Sequence, residues 1–375
     1  MTARGTGGCN FKPPIRSTRR VATSSAASVS TSTTCMHPSE VLFQGNRQPL
    51  ILPACDHYAG AEKLMRKSIV LQQELGPVFD ITLDCEDGAS AGNEEAHALL
   101  VAQLLASSDN HHQRIGARVH DVHSPFFARD VELIAGGAGA GPLAYIVLPK
   151  VNSVAEVAQA IAFINGHAAK AGRTESAANL LPVHVLIETH GALRDAYDIA
   201  ALPQVQCLSF GIMDFVSSHY GAIPGAAMRT PGQFTHPLVV RAKLEMAAAC
   251  HAHGKVPSHN VTTDIKDTAV AANDAQRAAA EFGYTRMWSI HPNQIKPIVK
   301  TFTPRLSEVN EAAAILHEAA AVDWGPISQN GRLHDRASYR YYWTILQRAR
   351  LAGLPLPESA AALMHPAPVQ PLEPH

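Results

Sequence analysis

A (β/α)8 barrel is the fold the sequence predicts, and three observations predict it. From residue 48, short apolar runs alternate with stretches of helical patterning. Eight such runs fit within about 250 residues, which is the size and rhythm of that fold. Polar and charged residues gather where the runs end, and barrels of this kind carry their active sites at the C-terminal ends of their strands. The alternative is a doubly wound open sheet. Its dinucleotide-binding version has no support, because no GxGxxG follows the first run.

Run one, Leu50–Ala54, is followed by Cys55-Asp56-His57-Tyr58. Run two, Phe79–Leu83, ends in Asp84-Cys85-Glu86-Asp87-Gly88, and run three, Ile115–Val119, carries Arg118 and leads to His120-Asp121. Run four, Ala144–Leu148, ends in Pro149-Lys150. Runs five and six, Val183–Ile187 and Val205–Phe210, lead to Glu188 and Asp214. Run seven, Gly254–Pro257, is the weakest because Pro257 interrupts it. Run eight, Arg286–Ile290, ends at His291-Pro292. The runs are short, mostly rich in Val, Ile, Leu and Phe, and bounded by turn formers, as buried parallel strands are. Ala61–Leu75, Glu94–Ala106, Val154–Ala168 and Thr268–Phe282 carry the helical pattern between them.

The pair Glu188 and Asp214 organises the chemistry. Gly191–Leu202 is Ala-rich and helix-compatible, so runs five and six form a strand-helix-strand unit with adjacent parallel strands. The two carboxylates then emerge side by side and repel each other unless a cation neutralises them. A hard divalent ion such as Mg2+, held by one or two carboxylates plus water and substrate, fits that need. The competing reading is that Glu188 caps the next helix and Asp214 is a solvated loop acid. Glu86 and Asp87 add two acids to the same rim, with an outer-shell role of holding ion-bound water and orienting Lys150 or Arg118. Asp84 and Asp87 as caps of the following helix is the plainer alternative. Arg118 suits a bidentate grip on a substrate carboxylate, against a buried ion pair with Glu86 or Asp87. Lys150 reads as an electrostatic, substrate-binding residue rather than a Schiff-base lysine. A metal beside an arginine implies an anionic oxo acid and a stabilised enolate, the logic of carbon–carbon cleavage next to a carbonyl.

Composition excludes other classes. The 375 residues carry a net charge of −1, which is no footprint for nucleic acid or a polybasic membrane patch. No apolar stretch is long enough to span a membrane. The six cysteines show no CxxC pairing, and Cys55, Cys85 and Cys207 fall in or beside strand-like runs, as buried free thiols do. That pattern suits a reducing, cytoplasmic setting. His120 and His123 flank Asp121, but a loop HxxH alone is weak evidence for a metal. Residues 1–47 read as an unfolded extension, acid-free through Ser39 and rich in Arg, Ser and Thr. It is either transit-peptide-like, which implies an organelle, or the product of an upstream start with Met36 the true beginning. The expected organisation is therefore 1–47 as extension, 48–302 as barrel, 303–355 as a C-terminal lid segment and 356–375 as a flexible tail.

Six segments in order, Asp84–Ala89, Arg118 with its neighbours, Val147–Val151, Val183–Thr189, Phe210–Asp214 and Ile290–Ile295, together resemble the citrate lyase beta-subunit and malyl-CoA lyase superfamily. The resemblance covers roughly residues 48–350. It implies a (β/α)8 barrel in which Glu188 and Asp214 hold Mg2+, Arg118 grips substrate, and Glu86 and Asp87 are the acidic pair. CoA-using members place a C-terminal segment over a neighbouring subunit, and Gly331-Arg332-Leu333-His334-Asp335 matches its G-x-x-x-D pattern. The resemblance thus implies Asp335 as an acid/base acting across an interface, in a homotrimer or homohexamer; its plainer role is a helix N-cap. The chain departs from the pattern at Met287, where members have Lys, at His120-Asp121, where they have an Asn, and around Pro53–Tyr58, where they have a Pro-Gly turn. The expected function is a Mg2+-dependent lyase of citryl- or malyl-type 3-hydroxyacyl-CoA thioesters acting on a small oxo or hydroxy acid. The alternatives are an acyl-CoA thioesterase, a CoA-independent pyruvate-type aldolase and a non-catalytic barrel subunit.

Overall fold

The computed structural model describes residues 37–44, 48–137, 140–173 and 180–364. Eight strands, β1 (Cys55–Ala59), β2 (Phe79–Asp84), β3 (Ile115–Arg118), β4 (Leu143–Leu148), β5 (Val183–Ile187), β6 (Val205–Phe210), β7 (Val256–His259) and β8 (Arg286–Ser289), pair in parallel and in sequence order. Pairing of β8 with β1 closes the barrel. This is the (β/α)8 barrel expected.

Period-2 alternation sorts the strand residues into two cores. Outward side chains such as Ile81, Leu83, Val183, Val185 and Met287 pack with the helices into one large apolar cluster. Inward positions hold a small apolar group of Tyr58, Tyr145, Val147, Leu186, Val261 and Trp288. One step earlier on the strands the interior is polar. Arg286, fully buried, bridges Asp56 at 2.9 Å and Asp80 at 2.6 Å. Arg114 also pairs with Asp80, and the Thr82 hydroxyl donates to Asp56 at 2.7 Å. The Tyr145 hydroxyl donates to Asp56 at 3.0 Å, and its ring stacks on His184 at 4.0 Å.

Two strands differ from the sequence reading. The first strand is Cys55–Ala59 rather than Leu50–Ala54, and the seventh is Val256–His259 rather than Gly254–Pro257. Both carry polar residues that face partners inside the barrel or behind it, so hydrophobicity alone placed them too early. The domain boundaries also move. Pro38–Phe43, within the presumed extension, is a helix whose Val41, Leu42 and Phe43 are buried. They join a second apolar core with Leu316, Tyr339, Trp343 and Leu346 from the C-terminal helices Leu306–Ala321 and Arg336–Leu351, and with Trp324 from the turn between those helices. Glu358–Leu363, within the presumed tail, is helical and buries Ala360. Residues 1–36 and 365–375 lie outside the described residues. Between the C-terminal helices, β9 (Ile327–Gln329) and β10 (Arg332–His334) form an antiparallel hairpin. Asn330 and Gly331 both take positive φ at its tip, as a tight hairpin turn needs. No helix of the described residues is long and apolar enough to cross a membrane.

Candidate active site

The strand ends surround a cavity of about 400 Å³ lined by Asp84, Asp87, Arg118, Glu188 and Asp214, with Tyr58, Val261 and Trp288 among its apolar walls. Glu188 follows β5 directly, so the strand delivers its carboxylate into the barrel mouth, where it is 2% exposed. Asp214 lies in the first turn of the short helix Ile212–Ser217 that follows β6. Burial first, and then the Asp214 charge, push the Glu188 carboxyl up to about 8. Gly211 makes room for that carboxylate. A Cβ there would lie 2.1 Å from Glu188 Oε2 and 2.6 Å from the Glu188 Cβ.

The remaining charges form one network. Arg118 donates to Asp84 through Nε at 2.7 Å and Nη2 at 2.5 Å, and Nη1 reaches Glu86 at 3.0 Å. Burial works against the guanidinium charge, but Asp84 and Glu86 more than offset it and hold its pKa above the ordinary value. Burial likewise works against the Asp84 carboxylate, and Arg118 outweighs it, so Asp84 sits below the usual range. Asp84 also accepts the backbone N–H of Glu86 at 3.0 Å and of Gly88 at 2.9 Å. It therefore ties the turn after β2 to Arg118, and it does not cap a helix. Lys150 Nζ holds Glu86 and Asp87, the latter at 3.0 Å, while the Lys150 backbone N–H donates to Glu188 Oε1 at 2.7 Å.

Five carboxylates (Asp84, Glu86, Asp87, Glu188, Asp214) thus share two cations (Arg118, Lys150). The excess negative charge, the burial of Glu188 and the Gly211 cradle fit a divalent cation held by Glu188 and Asp214. Among the described residues no three His, Cys, Asp or Glu side chains form a ligand cluster. Two carboxylates leave positions for water and substrate oxygens, as hard catalytic cations prefer.

The structure brings Glu86, Asp87, Arg118, Lys150, Glu188 and Asp214 together, and it changes two of their relationships. Arg118 is largely committed to Asp84 and Glu86, and Lys150 is a clamp on the acids rather than a free cation facing substrate. Asp335 is not brought in by its own chain. It is exposed and caps the helix Arg336–Leu351, accepting the Ala337 and Ser338 N–H groups. The HxxH pair does not converge on a metal: His120 bonds Asp130 at 2.7 Å, and His123 approaches Glu156. His291 caps the helix Pro292–Phe302. The polar stretch after Asp214 folds onto the outer side of β7, where Arg229, Thr230 and Gln233 border a separate cavity of about 470 Å³. Sequence reasoning missed Tyr58 and Trp288 as walls, and Asp84 as the anchor of Arg118. Placing β1 five residues later would have put Tyr58 at a strand end, inside the barrel.

The model of the HpcH/HpaI aldolase/citrate lyase family matches residues 74–292. The chain belongs to this family. It is a carbon–carbon lyase. A citrate lyase structure from Burkholderia xenovorans LB400 is 56% identical, with a TM-score of 0.76 over 88% of this chain and 100% of that one. The L-malyl-CoA/beta-methylmalyl-CoA lyase of Rhodobacter capsulatus is 27% identical over 285 residues, 72% of this chain and 87% of that protein. The fold is shared with CitE of Mycobacterium tuberculosis in complex with magnesium, acetoacetate and coenzyme A. That match has a TM-score of 0.59 and 21% identity, over 80% of this chain and 98% of that one.

Lys150 of this lyase has φ +52°, a left-handed conformation that costs a non-glycine residue about 1–3 kcal/mol. Two substitutions separate its backbone and side-chain roles. Lys150→Gly and Lys150→Ala both remove the clamp on Glu86 and Asp87, and each should cost roughly 10–100-fold in activity. The glycine variant should nevertheless unfold at a higher denaturant concentration than the alanine variant, by about 1 kcal/mol. Equal stability of the two would show that the backbone conformation carries no strain.

Proposed function

We propose that this chain is a Mg2+-dependent lyase that cleaves or forms a malyl- or citryl-type 3-hydroxyacyl-CoA thioester by retro-Claisen chemistry. The observation that carries the reading is the buried Glu188 beside Asp214 in a cavity that also holds Arg118. Glu188 and Asp214 would hold the ion, and Mg2+ when bound supplies electrophilic polarisation of the acid's hydroxyl or carbonyl oxygen. The magnesium, acetoacetate and coenzyme A bound in the Mycobacterium tuberculosis CitE structure, and the malyl-CoA lyase relatives, support this choice.

The chain's own residues do the rest. At about 400 Å³ the cavity admits a small acid but not a whole CoA, so the thioester arm runs out through the mouth. Arg118 fixes positive charge beside the acid, and Asp84 locks its orientation. Lys150 keeps Glu86 and Asp87 in place. In cleavage the hydroxyl proton leaves to a base and the bond between the carbinol carbon and the thioester α-carbon breaks. The electron pair passes into the thioester enolate, and protonation of that carbon releases acyl-CoA and an oxo acid. We assign that protonation to Asp335 of a second copy. It is exposed next to a hairpin that presents Leu333, itself 75% exposed. The reading therefore requires an oligomer.

Calorimetric titration tests the reading. Glyoxylate or oxaloacetate should bind only with Mg2+, and acetyl-CoA should bind the same protein. Malyl-CoA should then yield acetyl-CoA and glyoxylate. Free CoA as the sole thiol product would replace the lyase with a thioesterase. Oxo-acid binding without any response to CoA or acetyl-CoA would replace it with an aldolase.

A further inference from the structure

Two buried polar groups at the cavity take no part in the network above. Tyr58, 7% exposed, and Trp288, 8% exposed, line the cavity from the adjoining ends of β1 and β8, with ring centroids 4.8 Å apart. Among the described residues, neither the Tyr58 hydroxyl nor the Trp288 indole N–H has a hydrogen-bond partner. Buried donors are almost always paired, so an unpaired couple at the wall of a binding cavity points to a ligand that pairs them. The indole can only donate. The phenol keeps its proton too, because burial, and then the Asp56 and Asp84 charges, push its pKa well above the ordinary value.

The charge pattern indicates what these donors meet. Arg118 lies over the Tyr58 ring, its Cζ 5.4 Å from the centroid, with Nε, Nη1 and Nη2 already engaged by Asp84 and Glu86. An anionic acid entering a cavity with surplus carboxylates therefore needs further donors that are neutral and fixed in place. Tyr58 and Trp288 are fixed by packing with Tyr145, Val147 and Leu186, which fill the barrel interior.

We propose that the Tyr58 hydroxyl and the Trp288 indole N–H bind an oxygen of the small oxo acid, making them specificity-determining residues of this lyase. The proposal rests on the lyase reading. It predicts preference for an acid that presents an acceptor oxygen towards the β1–β8 side of the cavity, over an analogue with a methyl group there.

Tyr58→Phe and Trp288→Phe test it, by calorimetry with glyoxylate, pyruvate and oxaloacetate in Mg2+ and by thermal denaturation of the metal-free protein. Each variant should bind its preferred oxo acid about tenfold more weakly. In the condensation direction KM for the oxo acid should rise, while KM for acetyl-CoA stays unchanged. Metal-free Tyr58→Phe should melt no lower than wild type, because the lost hydroxyl has no partner in the fold. Tyr58→Phe binding as tightly as wild type would overturn the donor pair and leave the lyase reading standing. A lowered melting temperature with unchanged affinity would also overturn it, by making the hydroxyl structural. A wild-type protein that binds none of the three acids would overturn the lyase reading and this proposal together.

Discussion

Glu188→Gln is expected to lower turnover roughly 10³-fold and to abolish Mg2+ dependence while leaving the fold intact. The same substitution should change the pH dependence of stability, and the sign follows from the raised pKa. Between the ordinary value of 4.5 and about 8, the folded metal-free protein holds a proton on Glu188 that the unfolded chain has released. The Glu188 contribution is therefore fully favourable below about 4.5 and is lost as pH rises through about 8. Glutamine cannot titrate, so the variant should lack this part of the slope and, without metal, should outlast wild type at pH 9. A divalent ion competes with the same proton. Wild-type affinity for Mg2+ should therefore climb about tenfold per pH unit until about pH 8 and then level off. Urea melts of both proteins from pH 5 to 9, with Mg2+ titrations of wild type, check the argument. Wild-type turnover in the variant, or a flat affinity profile, would remove Glu188 from the ion site.

Arg286→Met should be the most destabilising single change in the barrel, at about 3–5 kcal/mol. Arg286 is fully buried and bridges Asp56 on β1 to Asp80 on β2. Asp80 keeps Arg114 when the bridge is removed, but among the described residues Asp56 keeps only the hydroxyls of Thr82 and Tyr145. A buried carboxylate without a cation must take up a proton, and burial already raises the Asp56 pKa. The loss should therefore shrink at low pH, and Asp56→Asn in the same chain should recover part of it. Chemical denaturation at pH 5 and pH 8 reads both effects. A cost below about 1 kcal/mol would mean that water reaches the barrel floor and solvates the charges.

The comparison between sequence and structure turns on which residues announce themselves locally. Runs two to six and run eight were legible because parallel strands covered on both faces need nearly continuous apolar residues. Glu188, Asp214, Arg118 and Lys150 were legible because each ends or follows such a run, and the fold places those ends around one mouth. β1 was misplaced because Asp56, His57 and Tyr58 look like a loop when their partners on β8 and β2 lie far away in the chain. The helix Pro38–Phe43 was hidden for a similar reason. Six residues do not form a stable helix alone, and Val41, Leu42 and Phe43 gain their burial only against helices some 270 residues later.

The sequence by itself determined the barrel, the family and which charged residues gather at the strand ends, because periodicity and strand-end position are properties of short segments. Tertiary structure alone decided how those charges are shared. Asp84 rather than a substrate takes the bidentate face of Arg118, Lys150 clamps Glu86 and Asp87, and Asp335 caps its own helix. It alone also showed the unpaired donors of Tyr58 and Trp288. The physical reason is that ion pairing and desolvation depend on distances of a few ångströms between residues that are dozens to hundreds of positions apart. No local pattern encodes those distances.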